Sequence, residues 1–414
     1  MSRTVFHIDV NSAYLSWEAA YRLQHGAEID LRNIPSIVGG DQEKRHGIVL
    51  AKSIPAKRFN IKTGETVHSA LQKCPKLVMV PPNYERYVNA SNAMIDILNQ
   101  YSPKIQRYSI DEVFLDYTDR NKDKYYLDAA YEIKERIKNE LGFTVNIGIG
   151  PNKLLAKIAS DFKKPDNIHT LFPHEIEKKM WPLPVEDLFM VGSKTKSKLN
   201  ERGTFTIGDL AKLDRDYIYS WLKKPGLLIW DYANGIEDSQ VEKGSIPIKS
   251  VGNSTTTAFD VDNRNEAHKI LLAISEMIGM RVRDLERCGS VVSVGLKNEH
   301  FYHYSHQRKL DIPTDSTNTI YRTAKRLFDE MWTGEPLRHF SISLSDLSSN
   351  DFFQLSLLEG YDKKEEALDK AIDKLRFKFG YDSVIRSCFL HSRINPIIGG
   401  VMMEDEYPAM SSKL

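Results

Sequence analysis

Cysteine is scarce in this 414-residue chain. Cys74, Cys288 and Cys388 are far apart and form no CxxC pair, so neither a disulfide framework nor a zinc knuckle is expected. A reduced, cytosolic setting fits that usage best. Long apolar runs are also missing. The opening stretch MSRTVFHIDVNSAYLSWEAA has no h-region and carries Asp9 in its most apolar part, so it does not read as a signal peptide. No run approaches the ~20 residues that span a bilayer, and no membrane partner is expected. Excess charge of either sign is absent too: 57 Lys and Arg stand against 56 Asp and Glu, a net +1. Any nucleic-acid surface must therefore be local. Internal repeats and low-complexity segments are not apparent.

What is present is the balance of a soluble globular protein, 41% hydrophobic and 27% charged, with length for two to four domains. Val5 to Val10 reads as a buried strand and Ala13 to Gln24 as a helix, with Ser12 as its cap. Strands are expected at Ile34 to Val38 and Gly47 to Ala51, and a helix at Tyr84 to Tyr101. KIQRYSIDEVFLDY (from Lys104) reads as two strands around a turn at Asp111. Leu127 to Leu141 is a helix with apolar spacing, Phe143 to Ile149 a strand, and Lys153 to Asp161 a helix. Ile168 to Asn234 reads as short helices without a clear strand. Glu237 to Lys249 is polar and aperiodic, a linker. From Ser250 the order is βαββαβ, a ferredoxin-like split unit. Phe352 to Leu358 is a short extended piece. Lys363 to Phe379 is an amphipathic helix with Leu368, Ala371, Ile372, Leu375 and Phe379 on one side.

Three acids carry the chemistry. Asp9 lies between Ile8 and Val10, and Asp111 with Glu112 lies between Ile110 and Val113. A carboxylate in an apolar strand is costly unless compensated. Divalent cations would compensate all three, and two magnesium ions ~3.5–4 Å apart form the clamp used in phosphoryl transfer. The plainer alternative is that each acid pairs with a nearby cation such as Arg107.

HIDVNSAYLSWE (from His7) and YSIDEVFLDY (from Tyr108) resemble the two metal-binding motifs of the Y-family translesion DNA polymerases, the UmuC/DNA polymerase IV group. The resemblance runs in order to about residue 350. It implies a multidomain α/β and α+β fold: a palm with a mixed sheet (1–12 and 78–165), small fingers (13–77), a helical thumb (166–236), a linker (237–249), a βαββαβ little finger (250–348) and a tail (349–414). It implies a monomeric polymerase that joins deoxynucleoside triphosphates to primer–template DNA, past lesions and without proofreading. Two magnesium ions, with manganese as the alternative, would sit on Asp9, Asp111, Glu112 and the main chain at Val10.

By the same resemblance Tyr14 is the aromatic gate beneath the sugar, and Lys164 in FKKPD reaches the triphosphate. AKSIPAKRFNIKTGE (from Ala51) resembles the finger motif, but Ile54 and Lys57 stand where the family has Tyr and Arg. Lys57 supplies charge without the planar fork of Arg, and Ser53 is the nearest substitute donor. GIGPNKLLAKIA lacks the GxxxxGK[ST] pattern and reads as a structural turn, with Asn152 and Lys153 as lesser DNA-side candidates.

VEDLFMVGSKTKSKLNERGTFTIGDL (from Val185) resembles a helix-hairpin-helix, about 185–210. Met190 occupies the first glycine position, Gly192 remains, and Lys194, Lys196 and Lys198 add charge. Lys249, Arg281, Arg283, Lys297, Arg308 and Lys309 are candidate phosphate contacts of the little finger. QLSLL resembles a sliding-clamp peptide, with Gln354 as polar anchor and Leu355, Leu357 and Leu358 as apolar ones. Two other readings stand beside polymerase. One is a palm-type nucleotidyl cyclase, against which the DNA-holding segments argue. The other is an inactive DNA- and clamp-binding scaffold, against which the acid triad argues.

Overall fold

Alternation along Val5–Val10 (β1) organises the first half of the molecule. Phe6, Ile8 and Val10 point into one apolar core, while Val5 belongs to a cluster with Phe114 and Ala156 on the other face. The computed structural model describes residues 3–40, 47–120, 124–242, 248–350 and 363–396. They divide into two compact units, one built on residues up to 242 and one on residues from 248.

After β1 comes α1 (Ala13–Gln24). Ser12 does not cap it. Its backbone is left-handed, φ +50°, and its side chain makes no capping bond, because an N-cap needs extended backbone to reach the helix N–H groups. A small sheet follows, from β2 (Ser36–Gly39), β3 (Val49–Lys52) and β4 (Val78–Val80), with α2 (Ile54–Lys57) and α3 (Val67–Lys73). Its strand order is β3-β2-β4, so Val78–Val80 shares a sheet with β2 and β3, whereas the expected domain boundary at residue 78 separates it from them.

The larger sheet is completed by α4 (Tyr84–Leu98), β5 (Ile105–Arg107), β6 (Glu112–Asp116), α5 (Tyr126–Arg136), β7 (Val145–Gly150), α6 (Lys153–Asp161) and β8 (Ile168–Thr170). Its order is β5-β6-β1-β7-β8, with β1 antiparallel to both neighbours and β8 parallel to β7. β8 corrects the strand-free reading of this region, since three residues are too few to show a period. α6 lies directly on β7: a Cβ at Gly148 would fall 1.9 Å from the Ala156 carbonyl, so only glycine admits the helix there.

Then come α7 (Ile176–Lys179), α8 (Ser193–Asn200), α9 (Ile207–Ala211) and α10 (Arg215–Ala233), around a core that includes Leu199, Leu210 and Ile229. α10 is two helical pieces broken at Lys223, φ +57°, two residues before Pro225. The start of the expected linker is bound to this unit. The Lys153 N–H donates to Glu237 at 3.2 Å, Arg3 to the Ser239 carbonyl at 2.8 Å, and the Glu242 N–H to Gln106 at 3.3 Å; just before the linker, Asn152 donates to the Gly235 carbonyl at 2.9 Å. Asn152 also caps α6, and Lys153 is buried and donates to Gln106, so these two lesser DNA candidates are internal structural groups.

The second unit has the expected βαββαβ order: β9 (Ser250–Val261), α11 (Arg264–Asp284), β10 (Arg287–Asn298), β11 (His303–Thr314), α12 (Thr317–Met331) and β12 (Leu337–Ser349). The antiparallel sheet runs β11-β10-β12-β9. Val292, Val294, Leu296, Phe340 and Leu344 pack with α11 and α12 in one core. α13 (Lys363–Phe379) is tied to this unit by charges: Arg283 pairs with Asp369 at 3.1 Å and Asp373 at 2.6 Å, and Arg376 with Glu276 at 2.6 Å. Arg283 is therefore not a phosphate contact. Removing one partner of a buried ion pair costs about 3–5 kcal/mol. Arg283→Ala is expected to lower the melting temperature and to speed amide exchange along Lys363–Phe379; unchanged exchange there would show that the pairs do not hold the helix.

Candidate active site

The β1–β6 register sets Asp9 directly opposite Glu112, so both carboxyls leave the same face of the sheet. The Val10 N–H donates to the Asp111 carbonyl at 3.1 Å, which fixes the third acid at the end of the same strand pair. Ser109 shapes the turn: its hydroxyl donates to Asp111 Oδ1 at 2.6 Å and accepts the Glu112 N–H at 3.0 Å. The structure thus brings Asp9, Val10, Asp111 and Glu112 together, as the sequence leads one to expect.

The counter-charges come from α6 and the loop after it. Lys164 pairs with Asp9 and, at 2.7 Å, with Asp161; Lys157 pairs with Glu112 at 2.6 Å. Arg107 donates to Asn92 at 2.6 Å. Burial pushes the Asp9 carboxyl up to about 7 against the pull of Lys164. Burial raises Glu112 as well, against Lys157. His7, one residue pair along the same face, lies 4.0 Å from Glu112 and bonds Ser160 at 2.8 Å. Burial and then Lys157 hold its pKa well below the imidazole value, so it stays neutral and is no cation for Glu112.

Among the described residues no three acidic, His or Cys side chains close into a metal-binding cluster. Asp9 and Glu112 are instead paired with ammonium groups, while Asp111 accepts from Ser109, and a divalent ion would have to displace Lys164 and Lys157. The donor chemistry nonetheless fits magnesium: hard carboxylate oxygens, two of them in register on adjacent strands, and already in need of positive charge. Lys157 and Ser109 were not singled out from sequence. Lys157 lies within the quoted GIGPNKLLAKIA stretch, but only its packing against β7 shows that it reaches Glu112.

Tyr14, on the second residue of α1, stacks on Tyr87 with ring centroids 4.6 Å apart and meets Tyr84 edge-on at 6.1 Å. Its ring is pinned rather than free to swing. In the segment expected to form the fingers, Ile54 is 46% exposed and Lys57 is exposed. Ser53 cannot substitute as a phosphate donor. Its hydroxyl donates to the Ile34 carbonyl at 2.7 Å and accepts the Ser36 and Ala56 N–H groups, so it is spent on the fold. Lys52 lies close enough to Lys57 to feel its charge: burial first, then Lys57, lowers its pKa.

In the segment that resembles a hairpin, Met190 takes φ +72°, a left-handed backbone that glycine adopts more readily, and Gly192 heads α8. Lys194 is exposed, whereas Lys196 pairs with Glu186. In the second unit the register places Lys297 and Lys309 in the row that carries Ser293, Gly295 and Ser305, away from the helices. Arg308 lies in the opposite row and pairs with Glu330 at 2.8 Å, and Arg281 is held by the Gly252 carbonyl. Gln354, Leu355, Leu357 and Leu358 lie outside the described residues. No helix among the described residues is long and apolar enough to cross a membrane.

The comparisons with known proteins agree with this geometry. The impB/mucB/samB family matches residues 8–161, and the C-terminal domain of that family matches 248–357. A DNA polymerase IV of Clostridium acetobutylicum is 46% identical over 94% of this chain and 99% of its own length. One from Acetivibrio thermocellus is 38% identical over 95% and 99%, and DNA polymerase IV 2 of Bacillus subtilis 36% identical over 94% and 95%. In fold, the chain is similar to a solved Y-family DNA polymerase chimera with a TM-score of 0.74, covering 84% of this chain and 100% of that one at 22% identity. A five-stranded sheet carrying in-register acids and a separate antiparallel sheet, in a chain matched over almost the full length of these relatives, mean that the chain belongs to the DNA polymerase IV group of the Y-family, translesion DNA-directed DNA polymerases.

Proposed function

We propose that Asp9, Asp111 and Glu112, with the main chain at Val10, hold two magnesium ions and perform nucleotidyl transfer to a primer 3′-hydroxyl. The observation that carries this is the register of Asp9 against Glu112, locked by the Val10–Asp111 backbone bond. Ions held there supply charge neutralisation at the triphosphate and a lowered pKa at the 3′-hydroxyl. The chain's own groups do the positioning. Lys164 exchanges its contact with Asp9 for a phosphate oxygen, and Lys52 and Lys57 contribute positive charge in the fingers. Lys157 restrains Glu112 until the site is charged. Tyr14, clamped by Tyr87, lies beneath the sugar. Primer extension opposite an undamaged and an abasic template, with magnesium, tests the reading. Template-dependent incorporation on both supports it. Pyrophosphate release without template would mean a cyclase, and no incorporation a scaffold.

The DNA-holding parts belong to the same proposal. α8 offers N–H groups at its start, and a Cβ added at Gly192 would meet nothing within 4 Å. The fold itself thus leaves that approach open for a phosphate. Gly192→Ala is expected to leave the melting temperature unchanged and to weaken primer–template binding several-fold, with a smaller salt dependence; unchanged affinity in a salt titration would remove the hairpin from the DNA grip. The open face of the second unit's sheet, with small residues flanked by Lys297 and Lys309, suits close approach of a backbone. Gln354, Leu355, Leu357 and Leu358 are proposed to dock on the sliding clamp. Deleting 354–358 should abolish clamp pull-down, and retention after deletion would reject the peptide.

A further inference from the structure

The imidazole of His7 is buried between the larger sheet and α6, and among the described residues its Nε2 makes no hydrogen bond. Buried polar atoms are seldom left so. The strand register explains where the ring lies. His7 is two residues before Asp9 on the same face of β1, opposite Phe114 on β6 and Gly148 on β7, and the bare Gly148 lets α6 come down over it. α6 also sets the orientation of the ring. Ser160 has one hydroxyl proton and donates it to the Lys157 carbonyl at 2.7 Å, an atom that can only accept. Toward His7 Nδ1, 2.8 Å away, Ser160 therefore accepts, so Nδ1 carries the hydrogen and Nε2 keeps a lone pair. That lone pair lies 4.0 Å from Glu112 Oε1, the same oxygen that takes the Lys157 ammonium at 2.6 Å.

Lys157 has little open water to retreat into. Its side chain is 14% exposed, and its ammonium lies 4.8 Å from the centre of the Tyr108 ring. When Glu112 gives Oε1 to a metal ion, the ammonium loses that acceptor in a site where an unpaired charge is costly. Asp161, one turn along α6, is a poor refuge, since it is 61% exposed and already pairs with Lys164 at 2.7 Å. His7 Nε2 is buried, unbonded and beside the oxygen that Lys157 gives up. We propose that His7 is a positioning residue whose Nε2 receives the Lys157 ammonium when Glu112 turns to a metal ion, so that the ammonium changes partners without being left bare. The inference rests on Glu112 as a metal ligand, the reading given above.

The test reads ion binding by the full chain, with nucleotide and a primer–template ended in a dideoxynucleotide so that no turnover occurs. Manganese is the probe, because the paramagnetic resonance signal of the free ion reports how much is bound. His7→Phe keeps a ring beside Phe114 and removes both nitrogens. It should raise the manganese needed for half-saturation about tenfold, while His7→Gln, whose amide can still accept, should lose much less. In a Lys157→Met background His7→Phe should make no further difference, because no ammonium is left to receive. A second measurement needs no variant to fold. In NMR of the parent with isotope-labelled histidine nitrogens, His7 Nε2 should start as a bare ring nitrogen and shift toward a bonded one as magnesium, DNA and nucleotide are added. An unmoved resonance, a protonated Nε2 at the outset, or a His7→Phe loss that persists beside Lys157→Met would overturn the proposal. So would a tenfold loss that follows Asp161→Asn in place of His7→Phe. Glu112→Gln separates the two readings. If it leaves manganese binding intact, the metal assignment fails and this inference with it. If it removes binding while His7→Phe does not weaken it, this inference alone fails.

Discussion

Asp9→Asn is expected to abolish primer extension, by about 10³-fold or more in rate, while making the metal-free protein more stable above neutral pH. The first effect follows because the amide keeps the shape of the side chain and loses the charge that a two-ion site needs. The second follows from burial. The Asp9 carboxyl is pushed from the usual carboxylate range up to about 7 in the folded chain. A raised carboxyl favours the folded state below its unfolded pKa, and that contribution is lost as pH rises through the folded value. By pH 8 the loss is at most ~4 kcal/mol, offset in part because Lys164 gives up one of its two carboxylates in the variant. Thermal melts of both proteins without divalent ions, at pH 5 and pH 8, check this. The variant should melt several degrees higher at pH 8 and nearly level with the parent at pH 5. Undiminished extension would remove Asp9 from the chemistry; equal melts at pH 8 would mean that its carboxylate carries no burial cost. The same sign applies to metal: protons compete with magnesium at Asp9, so the magnesium needed for half-maximal extension should rise as pH falls below about 7.

Tyr14→Ala is expected to raise incorporation of ribonucleotides relative to deoxyribonucleotides by roughly 10²-fold or more, with a smaller change for the deoxyribonucleotide alone. The argument is steric. A ring that Tyr87 stacks against at 4.6 Å and Tyr84 buttresses edge-on cannot yield to a 2′-hydroxyl. Alanine removes the obstacle. A conservative Tyr14→Phe should keep the discrimination, because the ring and not its hydroxyl does the excluding. Competition between a ribonucleotide and its deoxy counterpart on one template gives the ratio directly. No change in Tyr14→Ala would mean that the ring lies away from the sugar. The departure expected in the fingers, Ile54 and Lys57, is proposed to bear on overall nucleotide affinity and not on this ratio, since both side chains are exposed.

Local sequence signals were sufficient wherever one element by itself decided the outcome. β1 and α6 follow the expected bounds because strand alternation and helix spacing are short-range properties. What failed were expectations that depended on a partner element. Ser12 was read as a cap, but the chain turns left-handed there. Arg281, Arg283 and Arg308 read as surface cations until packing supplied a carbonyl, two aspartates and a glutamate. Asn152 and Lys153 read as DNA-facing until the segment after α10 came to rest on them.

The acidic site shows both sides of that division. The sequence by itself determined which three residues carry the charge, because an acid flanked by Ile and Val on an apolar strand stands out without any fold. It could not decide that Asp9 faces Glu112, that Ser109 ties the turn, or that Lys157 and Lys164 hold the carboxylates. Those depend on strand register and on a helix laid against β7 through Gly148. α13 divides in the same way. Its apolar spacing was visible in the chain, but periodicity does not say which side faces water: ion pairs made between distant segments bury Asp369, Asp373 and Arg376, while Leu368, Leu375 and Phe379 stay exposed.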